Sequence, residues 1–267
     1  VLCEHDGVVW LARRPIPGAV EAVARLRASG RQVLFVTNNS MSLVADQEAA
    51  LAAIGVPAEG AVVTSAQAGA SLVDAGETVL VCGGAGLVEA VEARGATAVR
   101  DGDADAVVVG LHHDFDYARL RSASAAVRAG ARFIATNDDP SFPTPDGPIP
   151  GAGALVAAVA VASGVAPVVA GKPHPPMAAL VAARCGPGFR PEAALVVGDR
   201  PSTDGRFAGA IGCPFAFVRS GVFPPGSSPD ADVDPALDVA DLAAVVSSLL
   251  DGEASGTDPV GESPAGE

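Results

Sequence analysis

The sequence predicts an α/β protein in which parallel strands are covered by helices on both faces. Three observations carry that prediction. Short, β-branched apolar runs bounded by Gly, Pro or Asp recur along the chain, the pattern of strands buried on both faces of a parallel sheet. Between them lie segments whose apolar residues recur with helical spacing and which end at Gly, as helices do. The two kinds alternate, and that βαβα order gives a sheet wrapped by helices.

Taken in order, the opening VLC is the first strand. The chain begins at Val1 rather than at Met, so this strand reads as trimmed. GAVEAVARLRASG (18–30) is a helix, QVLFVT (32–37) a strand, SLVADQEAALAAIG (42–55) a helix and AVVTS (61–65) a strand. TVLVCG (78–83) leads into CGGAGLVEA, which resembles a dinucleotide-binding loop but has Glu89 where the third glycine belongs. Gly83, Gly84 and Gly86 therefore read as a tight turn opening a helix. DAVVVG (105–110), the helical LRSASAAVRAG (120–130), ARFIAT (131–136), PVVAG (167–171), ALVVGD (194–199) and PFAFVR (214–219) continue the alternation.

A chain of 267 residues, 49% of them apolar, is ample for one large domain or two smaller ones. No apolar run approaches the roughly 18 residues of a membrane span, and no signal-peptide order opens the chain. A cytoplasmic protein is expected. Cys3, Cys82, Cys185 and Cys213 are far apart and show no metal-binding spacing, so they read as reduced thiols. Cys3 lacks the nearby Arg of a cysteine phosphatase loop and reads as core. The net charge is −14, and after Arg219 ten acidic residues follow with no Lys or Arg. The end, DGEASGTDPVGESPAGE (251–267), reads as a disordered acidic tail. Elsewhere no basic stripe with interleaved aromatics invites a nucleic acid.

In open α/β sheets, ligands bind beyond the carboxyl ends of the strands. Four polar clusters stand there: Glu4–Asp6, Thr37–Ser40, Gly171–Lys172, and Asp199 with Arg200, Thr203 and Asp204. Ser40 also suits a helix N-cap. Lys172 is the only Lys beside sixteen Arg, so a compact ammonium has been kept where guanidinium is the rule. A carboxylate set of this kind suits Mg²⁺, which takes one or two carboxylates, waters and a phosphate oxygen. Hydroxyl and amide donors with one cation suit the phosphate, so the set reads as metal-assisted chemistry on a phosphoryl group. His5-Asp6 and His112-His113-Asp114 also invite a two-metal phosphohydrolase. That class carries its ligands on helices, whereas these residues follow strands, so His112 and His113 read as loop residues near the pocket.

The ordered motifs DGVVW, FVTNNS, TSAQA, FIATN, PGAG, AGKP and VVGDRPSTD span the chain up to about residue 250. With them the sequence resembles the haloacid dehalogenase (HAD) superfamily phosphatases that include the nitrophenyl phosphatase, NagD-like and phosphoglycolate phosphatase groups. It looks especially like actinobacterial members, some of which act on glycerol phosphate. The resemblance implies a Rossmann-like core (1–77 and 166–250) with an inserted α/β cap domain (78–165) that closes over the site and selects the substrate. It implies Mg²⁺-dependent hydrolysis of a small phosphorylated metabolite of the sugar, glycerol or glycolate phosphate type, and dimerisation through the cap. By the same resemblance Asp6 is the general acid/base, Thr37, Asn38 and Lys172 hold the phosphate, and Glu4, Asp6, Asp199 and Asp204 serve the metal, Asp6 through its backbone carbonyl.

One residue departs from that pattern. Active members carry Asp as nucleophile where this chain has Glu4. The extra methylene moves the carboxylate out by roughly 1.5 Å, and a misplacement of about 1 Å costs on the order of 100-fold in rate. Two functions follow: a phosphatase working with Glu4, or a non-catalytic relative that binds Mg²⁺ and a phosphorylated ligand.

Overall fold

Strands buried on both faces need apolar side chains at every position, and the nine runs named above supply them. All nine enter parallel sheets in the computed structural model, which describes residues 1–142, 144, 147–221 and 233–254. The first sheet has six strands, in the order Leu237–Val239, Phe215–Val218, Val196–Gly198, Leu2–Cys3, Leu34–Thr37, Val62–Thr64. Every neighbouring pair is parallel. Cys3 stands level with Phe35 on one side and Val197 on the other. That register brings out the residues following the three central strands at one edge, beside one another.

Alternate residues of these strands feed two apolar layers, so both faces are covered as the composition requires. Phe35, Val197, Ala216 and Val218 pack with Leu26, Leu51 and Leu242 on one face. Val36, Val196, Phe215 and Phe217 pack with Met177, Val181 and Phe207 on the other. Burying one such side chain fully contributes about 1.5–3 kcal/mol.

The second sheet has five strands, in the order Val168–Val169, Arg132–Ala135, Ala106–Val109, Thr78–Cys82, Thr97–Val99, again all parallel. It too is packed on both faces, with Val79, Val81, Val108 and Ile134 on one and Leu80, Val107, Val109 and Phe133 on the other. Val168–Val169 pairs with Arg132–Ala135, so this sheet takes in chain beyond residue 165.

Other elements depart from the sequence pattern in explicable ways. Thr97–Val99 and Leu237–Val239 are edge strands of three residues without a fully buried face, too short and too polar to stand out as apolar runs. Trp10–Leu11 and Arg14–Pro15 form a hairpin whose turn residues Ala12 and Arg13 have φ of 48° and 64°. Ser141–Phe142 pairs antiparallel with Ile149–Pro150. Residues 251–254, placed in the acidic tail by composition, complete the helix Leu242–Ala254 instead. The rest of the tail, 255–267, and the acidic positions 230 and 232 lie outside the described residues. No described helix is long and apolar enough to cross a membrane.

Candidate active site

Glu4, Asp6, Thr37, Asn38, Lys172, Asp199 and Asp204 all line one cavity of about 280 Å³ at the carboxyl edge of the six-stranded sheet. The register explains the convergence. Glu4 follows Cys3, Asn38 follows Thr37 and Asp199 follows Gly198, each at the end of a strand level with its neighbours. Lys172 enters from the far side, three residues after the second sheet's Val168–Val169 strand and two after its buried Ala170.

The loop after Glu4 is wound tightly. The His5 carbonyl accepts from the N–H groups of Val9 at 2.9 Å and Trp10 at 3.2 Å. Gly7 takes φ of 81°, and a Cβ there would overlap the Asp199 carboxylate. Only glycine therefore lets the Asp6 loop lie against Asp199. His5 points the other way, into the core, with Trp10 and Phe35 each 5.6 Å from its ring.

Lys172 is 2% exposed, and its ammonium donates to Glu4 Oε2, to Asp204 Oδ1 at 2.6 Å and to the Val36 carbonyl at 3.0 Å. An ammonium has three donors, and all are engaged. Burial alone would lower its pKa, but the Asp204 and Glu4 carboxylates outweigh that and hold the ammonium charged beyond its usual range. Glu4 is fixed at its other oxygen, Oε1, by the His5 N–H at 2.7 Å. Burial, and then the neighbouring Glu4 charge, push the Asp6 carboxyl up to about 6.

Asn38 is a strut. Its side chain donates to Asp139 Oδ2 at 2.9 Å and to the Lys172 carbonyl at 3.0 Å, and accepts from the Lys172 N–H at 2.9 Å. The amide read as a phosphate donor is thus spent inside the protein, joining the first sheet to the Lys172 segment and to the second sheet. Thr37 Oγ1 accepts from the Asn39 N–H at 3.2 Å. Ser40 is not a helix cap: Leu43 holds that position before Val44–Ala53. Ser40 Oγ is instead buried between the sheets, accepting from Thr136 Oγ1 at 3.1 Å and the Leu111 N–H at 3.3 Å. His112 is buried with its Nδ1 3.1 Å from the Gly110 carbonyl, and His113 is exposed; neither lines the cavity.

Asp139 and Phe142 are among the lining residues that the sequence reading did not single out. Asp139 follows the predicted strand ARFIAT by three residues, so the strand-end rule applied once more would have found it. Burial raises its carboxyl pKa, opposed by the Asn38 hydrogen bond and the Arg200 charge.

Glu4 and Asp204 are turned to Lys172, so the groups that would take a cation are the Asp199 carboxylate and, as the resemblance implies, the Asp6 backbone carbonyl. No cage of three or more His, Cys, Asp or Glu is preassembled among the described residues. Mg²⁺ does not need one, because it keeps waters and shares phosphate oxygens beside one or two carboxylates. With Asp199 cradled against Gly7 and Gly221, where a Cβ at either would collide with it, the donor set fits that ion.

The chain matches a haloacid dehalogenase-like hydrolase family model over residues 1–97 and a HAD-hydrolase-like model over residues 169–245. It is 42% identical over 229 residues to the D-glycerol 3-phosphate phosphatase of Mycobacterium tuberculosis, covering 83% of this chain and 63% of that protein. Against the acid sugar phosphatase of Staphylococcus aureus it is 32% identical, covering 93% of this chain and 96% of the other. The crystal structure of the M. tuberculosis glycerol phosphate phosphatase in complex with magnesium superposes with a TM-score of 0.83 at 38% identity, covering 92% of this chain and 75% of that one. A 4-nitrophenylphosphatase from Thermotoga maritima gives 0.84 at 29% identity, over 92% and 95% of the two chains.

Proposed function

The chain belongs to the haloacid dehalogenase-like hydrolases, and from that premise we propose that it hydrolyses a small phosphomonoester with Mg²⁺. The observation that carries this is the meeting of Glu4, Asp6, Thr37, Lys172 and Asp199 on one strand-end cavity. Its volume of about 280 Å³ suits a small metabolite of the sugar, glycerol or glycolate phosphate kind.

Thr37 and the backbone N–H groups after it hold the phosphate. Glu4 stands in the nucleophile's place, where a carboxylate oxygen bonds to phosphorus as the ester oxygen leaves. Asp6, its carboxyl pushed up to about 6 by burial and the Glu4 charge, gives that oxygen its proton, then takes one from the water that cleaves the acyl phosphate. Lys172 keeps Glu4 oriented and Asp204 neutralised. Asp6 and Asp199 would hold Mg²⁺, which offsets phosphate charge when bound. The second α/β unit, residues 78–165 with the strand that follows, acts as the cap. Its exposed Val161 and Val168, at 85% and 56%, are apolar side chains it would offer to a second copy. Four cysteines without disulfides suit a reducing cytoplasm.

A second reading is favoured by one observation. Glu4 is a methylene longer than the Asp of active relatives, and both of its oxygens are already held, by Lys172 and by the His5 N–H. On that reading the chain binds Mg²⁺ and a phosphorylated ligand without turnover. Phosphate release from p-nitrophenyl phosphate, with and without Mg²⁺, separates the two. Turnover by the native chain establishes the hydrolase; turnover by Glu4→Asp alone establishes the binding protein. Turnover by neither refutes the site.

A further inference from the structure

The phosphate end of the cavity leaves open what the phosphate is attached to, and the opposite wall bears on that. The cavity's two cations are Arg200, which follows the six-stranded sheet's Val196–Gly198, and Lys172, which follows the second sheet's Val168–Val169 but turns its ammonium to Glu4, Asp204 and the Val36 carbonyl of the first. The facing wall comes from the second unit: Leu111, Asn137, Asp139, Ser141, Phe142 and Thr144. It carries a single charged side chain among the described residues, Asp139.

Asp139 is held from three sides. Its Oδ2 accepts from Asn38 Nδ2 at 2.9 Å, its N–H donates to Asn137 Oδ1 at 3.2 Å and its carbonyl accepts from the Gly153 N–H at 2.9 Å. Gly151 and Gly153 make this approach available, because a Cβ at either would overlap or crowd the Asp139 carbonyl. A carboxylate has about four lone-pair sites, and Asn38 takes one of them. The rest can accept from hydroxyl groups of whatever occupies the cavity. Arg200 interacts with both Asp6 and Asp139, so its charge is already shared by two carboxylates and does not call for a third.

We propose that Asp139 is the specificity-determining residue of this cavity: it accepts hydrogen bonds from the hydroxyls of an uncharged polyol or sugar leaving group and turns away leaving groups that carry a second anion. Like charges apposed in a partly desolvated cavity repel strongly, and a hydroxylated leaving group brings donors where the wall offers an acceptor. This assignment rests on the phosphomonoester reading and adds to it which half of the substrate is recognised by the second unit.

The test is calorimetric titration, in Mg²⁺, of orthophosphate, glycerol phosphate and phosphoglycolate into the native protein and Asp139→Asn. Orthophosphate has no leaving group and is the reference within each protein. The native protein is expected to prefer glycerol phosphate to phosphoglycolate by at least about tenfold, and Asp139→Asn to bring the two within about threefold. Asn retains an acceptor oxygen for Asn38, and Asp139→Glu, which keeps the charge, should keep the discrimination if Asn disturbs the loop. Equal native affinities, or a preference unmoved in Asp139→Asn, would overturn the assignment. If orthophosphate itself fails to bind the native protein and Glu4→Asp, the phosphate reading falls and takes the assignment with it.

Discussion

His5 sits between two carboxylates of the site, yet its ring is turned into the core, 2% exposed, with Nε2 buried and without a hydrogen-bond partner. Burial drives its pKa down to about 3, with the Lys172 charge adding to the effect. In the unfolded chain it takes a proton near 6.5, whereas the folded chain resists until about 3. Stability from a neutral His5 is therefore full above about 6.5 and is lost as the pH falls through that window. By pH 5 the loss is about 2 kcal/mol. Thermal unfolding of His5→Leu should lack that acid-side decline, and a melting curve at pH 5 that falls as far as the native one would refute the account. The residues around His5 were legible because strand ends in such sheets carry the chemistry: Glu4, Asp6, Thr37, Lys172, Asp199 and Asp204 all reach the cavity. Which partner each side chain takes was not legible. The strand-end rule gives position but not rotamer, so it could not show Lys172 drawing in Glu4 and Asp204, or the Asn38 amide engaged by Asp139 and the Lys172 backbone.

The helix Ala85–Ala93 shows what element-level patterns omit. Its glycine-rich entry was readable as a tight turn, but the reason for glycine lies in another element. A Cβ on Gly84 would stand 2.6 Å from the Met41 carbonyl oxygen, and one on Gly86 would overlap the Ser42 carbonyl. The Gly86 N–H donates to the Met41 carbonyl at 3.0 Å, and Glu89 reaches back to accept from the Val44 N–H at 3.2 Å. A carboxylate at the start of Val44–Ala53 meets that helix's unsatisfied N–H groups. The second unit is thus laid backbone to backbone on the loop that follows Thr37. Gly86→Ala should force this contact apart at a cost of about 1–3 kcal/mol, as overpacking does. Denaturant unfolding would measure the loss, and a midpoint equal to the native one would show that the contact yields freely. Thr97–Val99 and Leu237–Val239 went unread for the opposite reason: as edge strands they need only one neighbour and carry too little apolar side chain to mark themselves.

At the scale of the molecule, the net charge is −14, ten of it carried after Arg219, and the cavity is acidic too. Glu4, Asp6, Asp139, Asp199 and Asp204 line it against Lys172 and Arg200. Lys172 is already engaged by two of those carboxylates, so its charge is largely answered before any substrate arrives. An anion approaching this protein is repelled at long range and meets net negative charge at the site. On the proposed reading, phosphate capture therefore requires a cation brought in from solution, which Asp199 and Asp6 would hold. Chelation should abolish orthophosphate binding, weakening it by at least about 100-fold, and added Mg²⁺ should restore it; the magnitude follows from removing a divalent charge about 4 Å from the phosphate even at a well-screened effective dielectric. Asp199→Asn should reproduce the chelated state while the melting temperature stays close to native. Titration of orthophosphate with and without chelator reads the outcome directly: tight binding in the absence of any divalent ion would mean that Arg200 and the backbone N–H groups suffice, and the cation would then have no part in capture.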